Sequence, residues 1–436
     1  MDLEMKFTVG ERRQILSSVM FAGLLSPLCS SCYFPALGMV ASGLNTTNHL
    51  VDLSVSVYLV TMGVCPILWG TLADIYGRRK LMIVASIIFV CASAACGFAS
   101  DIWLLISLRI LQALGASASI VIGIGVIADI YPREERGSAM GLFMIGPLLG
   151  PVLGPPLGGL ITHYLTWHAV FWVITALGIV SLISILFLLP ETLSQRKPSP
   201  LRCTNTFPFF EKSGKFPNPF ASLSFLLYVK IILPTFYTCI ILMLYFYIGI
   251  SQSHNLKPYS LSQLQLGLSY LPLGLADIIG SYLGGRISDI SFKFVKTRHE
   301  ECPSEARLAL LPLGIILISC GVVLLAFLLD EQCSIIVVLS VLMVVCVIMG
   351  VSFGLIGCYI MDAFPKHAAS TSAACNLLRS TSCGVSVSFS SLLSSRFSAK
   401  QIFLSFSILQ LFGFVVLAIL IPLRRSLKQG DSIANN

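Results

Sequence analysis

The chain has 436 residues, of which 56% are hydrophobic and only 11% charged, with a mean hydropathy of +0.88. A soluble domain would carry about 25% charged residues, so composition excludes a soluble enzyme or a nucleic-acid binder and places the chain in a bilayer. The net charge of +8 then reports loop topology, not affinity for polyanions.

Twelve apolar runs of roughly 20 residues, each able to cross the hydrocarbon core as a helix, are drawn at 15–40, 51–73, 81–99, 102–128, 137–162, 168–190, 224–251, 262–286, 308–329, 334–361, 367–393 and 399–423. The first run is too long for a cleavable h-region, so no signal peptide is expected. Of the 28 Lys and Arg residues, 22 lie on the side of the N-terminus. Three (Lys257, Arg396, Lys400) lie on the other side, and three (Arg109, Lys230, Arg379) lie inside spans. That split predicts cytoplasmic termini and puts the sequon Asn45-Thr46-Thr47 in the first outer loop. The expected layout is an N-terminal six-helix bundle at 1–190, a Pro-, Ser- and Lys-rich cytoplasmic loop at 191–222, a second bundle at 223–425 and a tail at 426–436. The fourteen cysteines are scattered and read as small packing residues, with no metal or cofactor expected.

Helix 2 ends in WGTLADIYGRRK, Trp69 to Lys80. Asp74 falls in its last turn, Gly77 in the turn, and Arg78, Arg79 and Lys80 beyond. Asp74 can accept bonds from a helix N-terminus or pair with Arg78, and Gly70 allows a neighbouring helix close. The chain echoes itself across its midpoint: GGRISD gives Gly285-x-x-x-Asp289, and IADIYP, with Asp129, is answered by IMDAFP, with Asp362. A repeat of this kind, embedded in membrane, predicts two related bundles around a midplane cavity. The loop resembles the signature G-x-L-a-D-r-x-G-r-k between helices 2 and 3 of the major facilitator superfamily, with Ile75 in place of the usual arginine. The resemblance implies an all-α fold of two six-helix bundles. It also implies a conformational latch of Gly70, Asp74, Gly77, Arg78 and Asp129, in which Asp74 braces helix 11 and Arg78 pairs with Asp129.

In helix 4, RILQALG places Arg109 about 7 residues, or about 10 Å, into the span. An arginine at the hydrocarbon centre costs about 3 kcal/mol unless it faces protein or water; snorkelling to the outer interface is the other reading. Arg109 and Gln112 resemble the family pattern R-x-x-Q-G, with the glycine displaced to Gly115, which implies that Arg109 tunes a proton-carrying carboxylate. In helix 5, Gly146, Gly150, Gly154 and Gly158 recur every four residues and make one smooth face, beside Pro147, Pro151, Pro155 and Pro156. Prolines that would break a soluble helix are tolerated in lipid where neighbours satisfy the freed carbonyls. The GP steps resemble the helix 5 signature of drug:proton antiporters and predict a kinked helix at an interface that opens and seals. LPETL at Pro190, FPNPF at Phe216 and MDAFPKHAASTSAACNLLRS at Met361 extend the likeness over nearly the whole chain. They resemble fungal quinidine-resistance and short-chain-acid-resistance exporters.

Asp277, deep in helix 8, is a departure from that pattern and the expected proton carrier, or else a structural acid. Asp52 is expected at the outer membrane interface. Tyr33, Gln112, Tyr237, Tyr245, Asn376 and Arg379 are the expected cavity residues. Asn376 and Arg379 share one face of helix 11 and could meet an anionic group or serve their neighbours. The expected function is a proton-coupled exporter of amphipathic cations or weak organic acids, acting as a monomer in the plasma membrane, with no nucleic acid and no enzymatic activity. An uptake symporter or facilitator, and a non-transporting sensor, are the alternatives.

Overall fold

The computed structural model describes residues 7–193, 223–224, 226–296, 304–363 and 368–419. The central loop past Leu193 and the tail 426–436 lie outside the described residues. Twelve long helices follow the order of the drawn spans. They are α1 Val9–Ser31, α2 Asn48–Tyr76, α3 Arg78–Cys96, α4 Ile102–Ile130, α5 Arg133–Tyr164, α6 Trp167–Leu188, α7 Val229–Asn255, α8 Leu271–Lys296, α9 Leu311–Asp330, α10 Ile335–Ala363, α11 Ala368–Arg396 and α12 Ala399–Gln410. Among the described residues, eleven helices, short flanking turns included, are long and apolar enough to cross a membrane. The remaining one, α11, is 29 residues long, about 43 Å, but rich in serine. Its length fits a span, and its polarity is absorbed by neighbours described below.

Local chemistry sets the ends. Thr8 and Glu11 form a capping box at α1, Ser398 and Gln401 another at α12, and Asp101 accepts the Trp103 and Leu104 amides at α4. These side chains satisfy amides that a helix start leaves unbonded. Helix α5 runs unbroken for 32 residues through Pro147, Pro151, Pro155 and Pro156. Past Ser31, α1 loosens into a 3-10 turn at Phe34–Ala36 and resumes at Leu37–Gly43. The twelve described cysteines are free; Cys29 and Cys32 have Cys-x-x-Cys spacing, yet both are buried and unbridged.

The packing divides the molecule into two six-helix bundles. One apolar cluster draws on α7 to α12, the turn before α9 and the residues just past α12, and two draw on α1 to α6 and the residues capping α1 and α6. A fourth joins the bundles, with Tyr33, Val51 and Trp167 against Ile250, Tyr270 and Val387. All of these lie toward the membrane face away from the N-terminus, so the bundles meet on that opposite face. On the N-terminal face Asp74 is 62% exposed, and a Cβ added at Gly137, Gly141, Gly285 or Gly357 would meet nothing within 4 Å.

Candidate functional site

At the N-terminal face, α2 ends on Gly77, whose φ of +104° favours glycine; a Cβ there would lie 2.5 Å from the Glu191 carboxylate. Helix α3 starts at Arg78, and its otherwise unbonded amide donates to Glu191 Oε1 at 2.9 Å. The Arg78 guanidinium reaches Asp74 Oδ1 at 2.7 Å and Asp129 Oδ2 at 3.3 Å. Gly125 leaves room for it: a Cβ there would sit 2.6 Å from Arg78 Cζ. Gly70 faces Val121 of α4. Three elements of one bundle, α2, α3 and α4, are thus held by one arginine. The Glu191 and Gly125 contributions were not singled out from the sequence, although the position of LPETL at the end of α6 was the available signal.

The second bundle repeats the arrangement. Arg307, in the 3-10 segment Ser304–Leu308, reaches Asp362 Oδ2 of α10 at 2.5 Å and Asp289 Oδ1 of α8 at 3.0 Å. Nη1 also donates to Ser288 Oγ at 3.0 Å. The close helix approach here runs through Gly280 on Gly350 and Gly284 on Gly354. Gly285, the position suggested by the echo in sequence, faces open space.

Arg109 is fully buried inside the first bundle. That removes snorkelling as its explanation. Its Nη1 donates to Gln112 Oε1 at 2.8 Å, and Gln112 Nε2 donates in turn to Ser93 Oγ at 2.8 Å. The guanidinium lies 4.3 Å from the Tyr58 ring centre and 4.8 Å from that of Tyr33, a geometry in which ring faces attract a cation. Nε and Nη2 have no partner among the described residues. Tyr33 and Gln112 therefore clasp Arg109 and do not line a cavity in this conformation. Tyr237 is likewise fully buried, against Gly413 and Ile315 in the second bundle. Residue type announced an aromatic or a polar group near the midplane, but not which way it turned.

Asp277 and Tyr245 do meet: the phenol donates to Asp277 Oδ2 at 2.6 Å. Asp277 stands near the middle of the span Gln263–Phe294. On α11, Asn376 is exposed and Arg379 partly buried. The Arg379 guanidinium lies 5.0 Å from the Phe353 ring centre.

The glycine face of α5 is turned into its own bundle. Cβ atoms at Gly146, Gly150, Gly154 and Gly158 would collide with Met20, Pro27 and Leu28, Ser31, and Cys32 of α1 and its cap. The sequence expectation of an opening interface there is corrected, because periodicity identifies a smooth face and not the helix that covers it. The contact between bundles uses other glycines. A Cβ on Gly159 would lie 2.7 Å from Gly267 Cα, and one on Gly274 would strike the Val152 backbone. The second seam is polar and joins α2 to α11. Ser56 Oγ donates to the Gly384 carbonyl at 2.6 Å, Ser388 Oγ to Ser56 Oγ at 2.6 Å, and the Ser391 amide to Asp52 Oδ2 at 3.1 Å. Asp52 is 5% exposed; α11 covers it, so it belongs to this seam rather than to the membrane interface. Above it a pocket of about 310 Å³ opens between the bundles.

Residues 19–387 match the family described as the Major Facilitator Superfamily. The chain is 34% identical to Citrate exporter 1 of Aspergillus niger over 68% of this chain and 60% of that protein. It is 29% identical to Dityrosine transporter 1 of Saccharomyces cerevisiae over 87% of this chain and 74% of that one. It is 39% identical to MFS antiporter QDR3 of Candida albicans over 41% of this chain and 26% of that one. The chain thus spans about three fifths of the length of the citrate exporter it matches. In fold it is similar to a bacterial homologue of the human lysosomal transporter Spinster in an inward-facing, occupied conformation, with a TM-score of 0.72 at 14% identity, covering 96% of this chain and 98% of that one.

Proposed function

This chain belongs to the Major Facilitator Superfamily, and we propose that it is a proton-coupled exporter of small amphipathic solutes, organic cations or weak organic acids, working by alternating access. The N-terminal face carries the excess of Lys and Arg and is the cytoplasmic one in this reading, which makes the present arrangement inward-open. The membrane is the plasma membrane and the working unit a monomer. Residues 1–190 and 223–425 are the two rocking units, linked by 191–222.

The observation that carries the reading is the division of labour between the two faces. Each bundle is braced on the N-terminal face by an arginine between two acids, where the bundles are apart. On the opposite face they are sealed by small residues and by the Asp52–Ser391 and Ser56–Ser388 bonds. Small residues and serine hydroxyls make a seam that can part and close without large rearrangement. Asp277, held by Tyr245, carries the exchanged proton, and Arg109 stiffens the first bundle. The relatives named exporter and antiporter support outward transport.

Inside-out vesicles with an acid interior test this. Accumulation of quinidine or of benzoate that a protonophore abolishes is the expected result. Equilibration that ignores the pH gradient would instead mean a facilitator.

A further inference from the structure

Apart from Lys230, in the first turn of α7 at the N-terminal face, and Arg379, the charges singled out above are already engaged. Arg78 and Arg307 each hold two acids. Asp52 accepts an amide, and Asp277 accepts a phenol. Arg109 is clasped by Gln112 and two tyrosine rings, with no exposed surface. Arg379 differs on both counts. It is only partly buried, and its described contact is a ring face, Phe353 of α10. No acid is paired with it among the described residues. The thiols of Cys239, Cys375 and Cys383 lie in its neighbourhood, and neutral thiols do not balance a guanidinium.

Its position is suited to a solute. Arg379 is eleven residues into α11, about 17 Å from the helix start, near the middle of a hydrocarbon core of about 30 Å. Asn376 is one turn nearer the N-terminal face, on the same side of the helix and exposed. Residues three apart on a helix are neighbours, with Cβ atoms about 5–6 Å apart. A planar guanidinium with free N–H groups matches a carboxylate bidentately. The adjacent amide suits a second polar group one helical turn away, and Phe353 offers an apolar flank.

We infer that Arg379 is the anion-recognition residue of the carrier, and that its solute is an organic acid bound as the carboxylate, with Asn376 meeting a second polar group. This rests on the transport reading above and narrows its solute to the acid class. Empty, the carrier would have to occlude an unpaired cation at the midplane; loaded, the carboxylate neutralises it. The solute itself therefore makes closure favourable.

The test is transport by the full chain in inside-out vesicles with an acid interior, using radiolabelled benzoate, citrate and quinidine. Arg379→Gln should raise KM for the transported acid at least tenfold, with Arg379→Lys recovering part of the loss because it keeps the charge. Equal amounts of monodisperse protein would show that both variants fold. Asn376→Ala should raise KM for citrate more than for benzoate, which has no second polar group. Acid transport with an unchanged KM in Arg379→Gln would overturn the inference. So would transport of quinidine with neither acid carried, and that outcome would leave the exporter reading standing. Movement of none of the three probes by the wild-type chain would overturn both.

Discussion

Arg307 Nε lies 2.5 Å from Asp362 Oδ2, the counterpart of Arg78 Nε at 3.3 Å from Asp129 Oδ2. Each arginine ties the end of its bundle's fourth helix to the end of its second, since each also holds an acid there, Asp289 or Asp74. The two brackets come from different sequence layouts. Arg78 follows Asp74 by four residues, whereas Arg307 follows Asp289 by 18.

The equivalence predicts that Arg307→Gln impairs transport as much as Arg78→Gln. Both arginine side chains are only 12–14% exposed, and their acids range from 22% to 63%. The loss should therefore fall between the ~1 kcal/mol of an exposed pair and the ~3–5 kcal/mol of a buried one. If that energy biases one carrier conformation, transport drops roughly tenfold. Initial rates in vesicles, normalised to protein, check this. A normal rate for Arg307→Gln beside a slow Arg78→Gln would reduce the second bracket to a structural ornament.

Two glycines of α5 should fail in different ways. Gly150 faces the backbone of α1, 2.7 Å from Leu28 N for an added Cβ, so Gly150→Leu overpacks one bundle. A cost of about 1–3 kcal/mol or more is expected, seen as a lower Tm and reduced surface expression. Gly159 faces Gly267 across the bundle interface. Gly159→Leu should leave Tm nearly intact and hold the opposite face open. Labelling of a cysteine introduced at Ser388 by a membrane-impermeant maleimide reads this directly: faster labelling in Gly159→Leu is expected, and unchanged labelling would remove Gly159 from the seal.

Asp277→Asn keeps an acceptor for the Tyr245 phenol but carries no exchangeable proton. Gradient-driven accumulation should fall to simple equilibration, while solute–solute exchange persists. Tyr245→Phe, which removes the donor, should weaken coupling without abolishing it. Intact accumulation in Asp277→Asn would return that residue to a structural role.

The sequence made the spans legible because about 20 apolar residues in a row have few other fates. Asp74, Arg78 and Asp129 were legible through fixed local spacing, and the IADIYP–IMDAFP echo located Asp362. Arg307 was not, because it stands 18 residues after Asp289 where Arg78 stands four after Asp74, and no local repeat links the two. Side-chain direction was the larger gap. Tyr33, Gln112 and Tyr237 were expected to line the cavity, yet all three turn into packed bundles. Asp52 was placed at the correct end of α2, but only the crossing of α11 shows that it is covered.

Arg109 gives the sharpest contrast between charge and shape. Its guanidinium is flanked by the Tyr58 and Tyr33 rings and fixed in orientation by Gln112. Lysine would keep the charge and lose the planar group that stacks on the rings and meets the amide oxygen. Arg109→Lys should therefore behave like a loss of function, with transport down at least tenfold and a lower Tm. Tyr58→Phe keeps the ring and loses the bonds of the hydroxyl to the Ser26 carbonyl and the Cys29 thiol, a net cost of about 1 kcal/mol for each ordinary bond, so it should remain active. Thermal unfolding and transport measured on both variants decide the matter. Full activity in Arg109→Lys would mean that charge alone suffices and that the aromatic clasp is incidental packing.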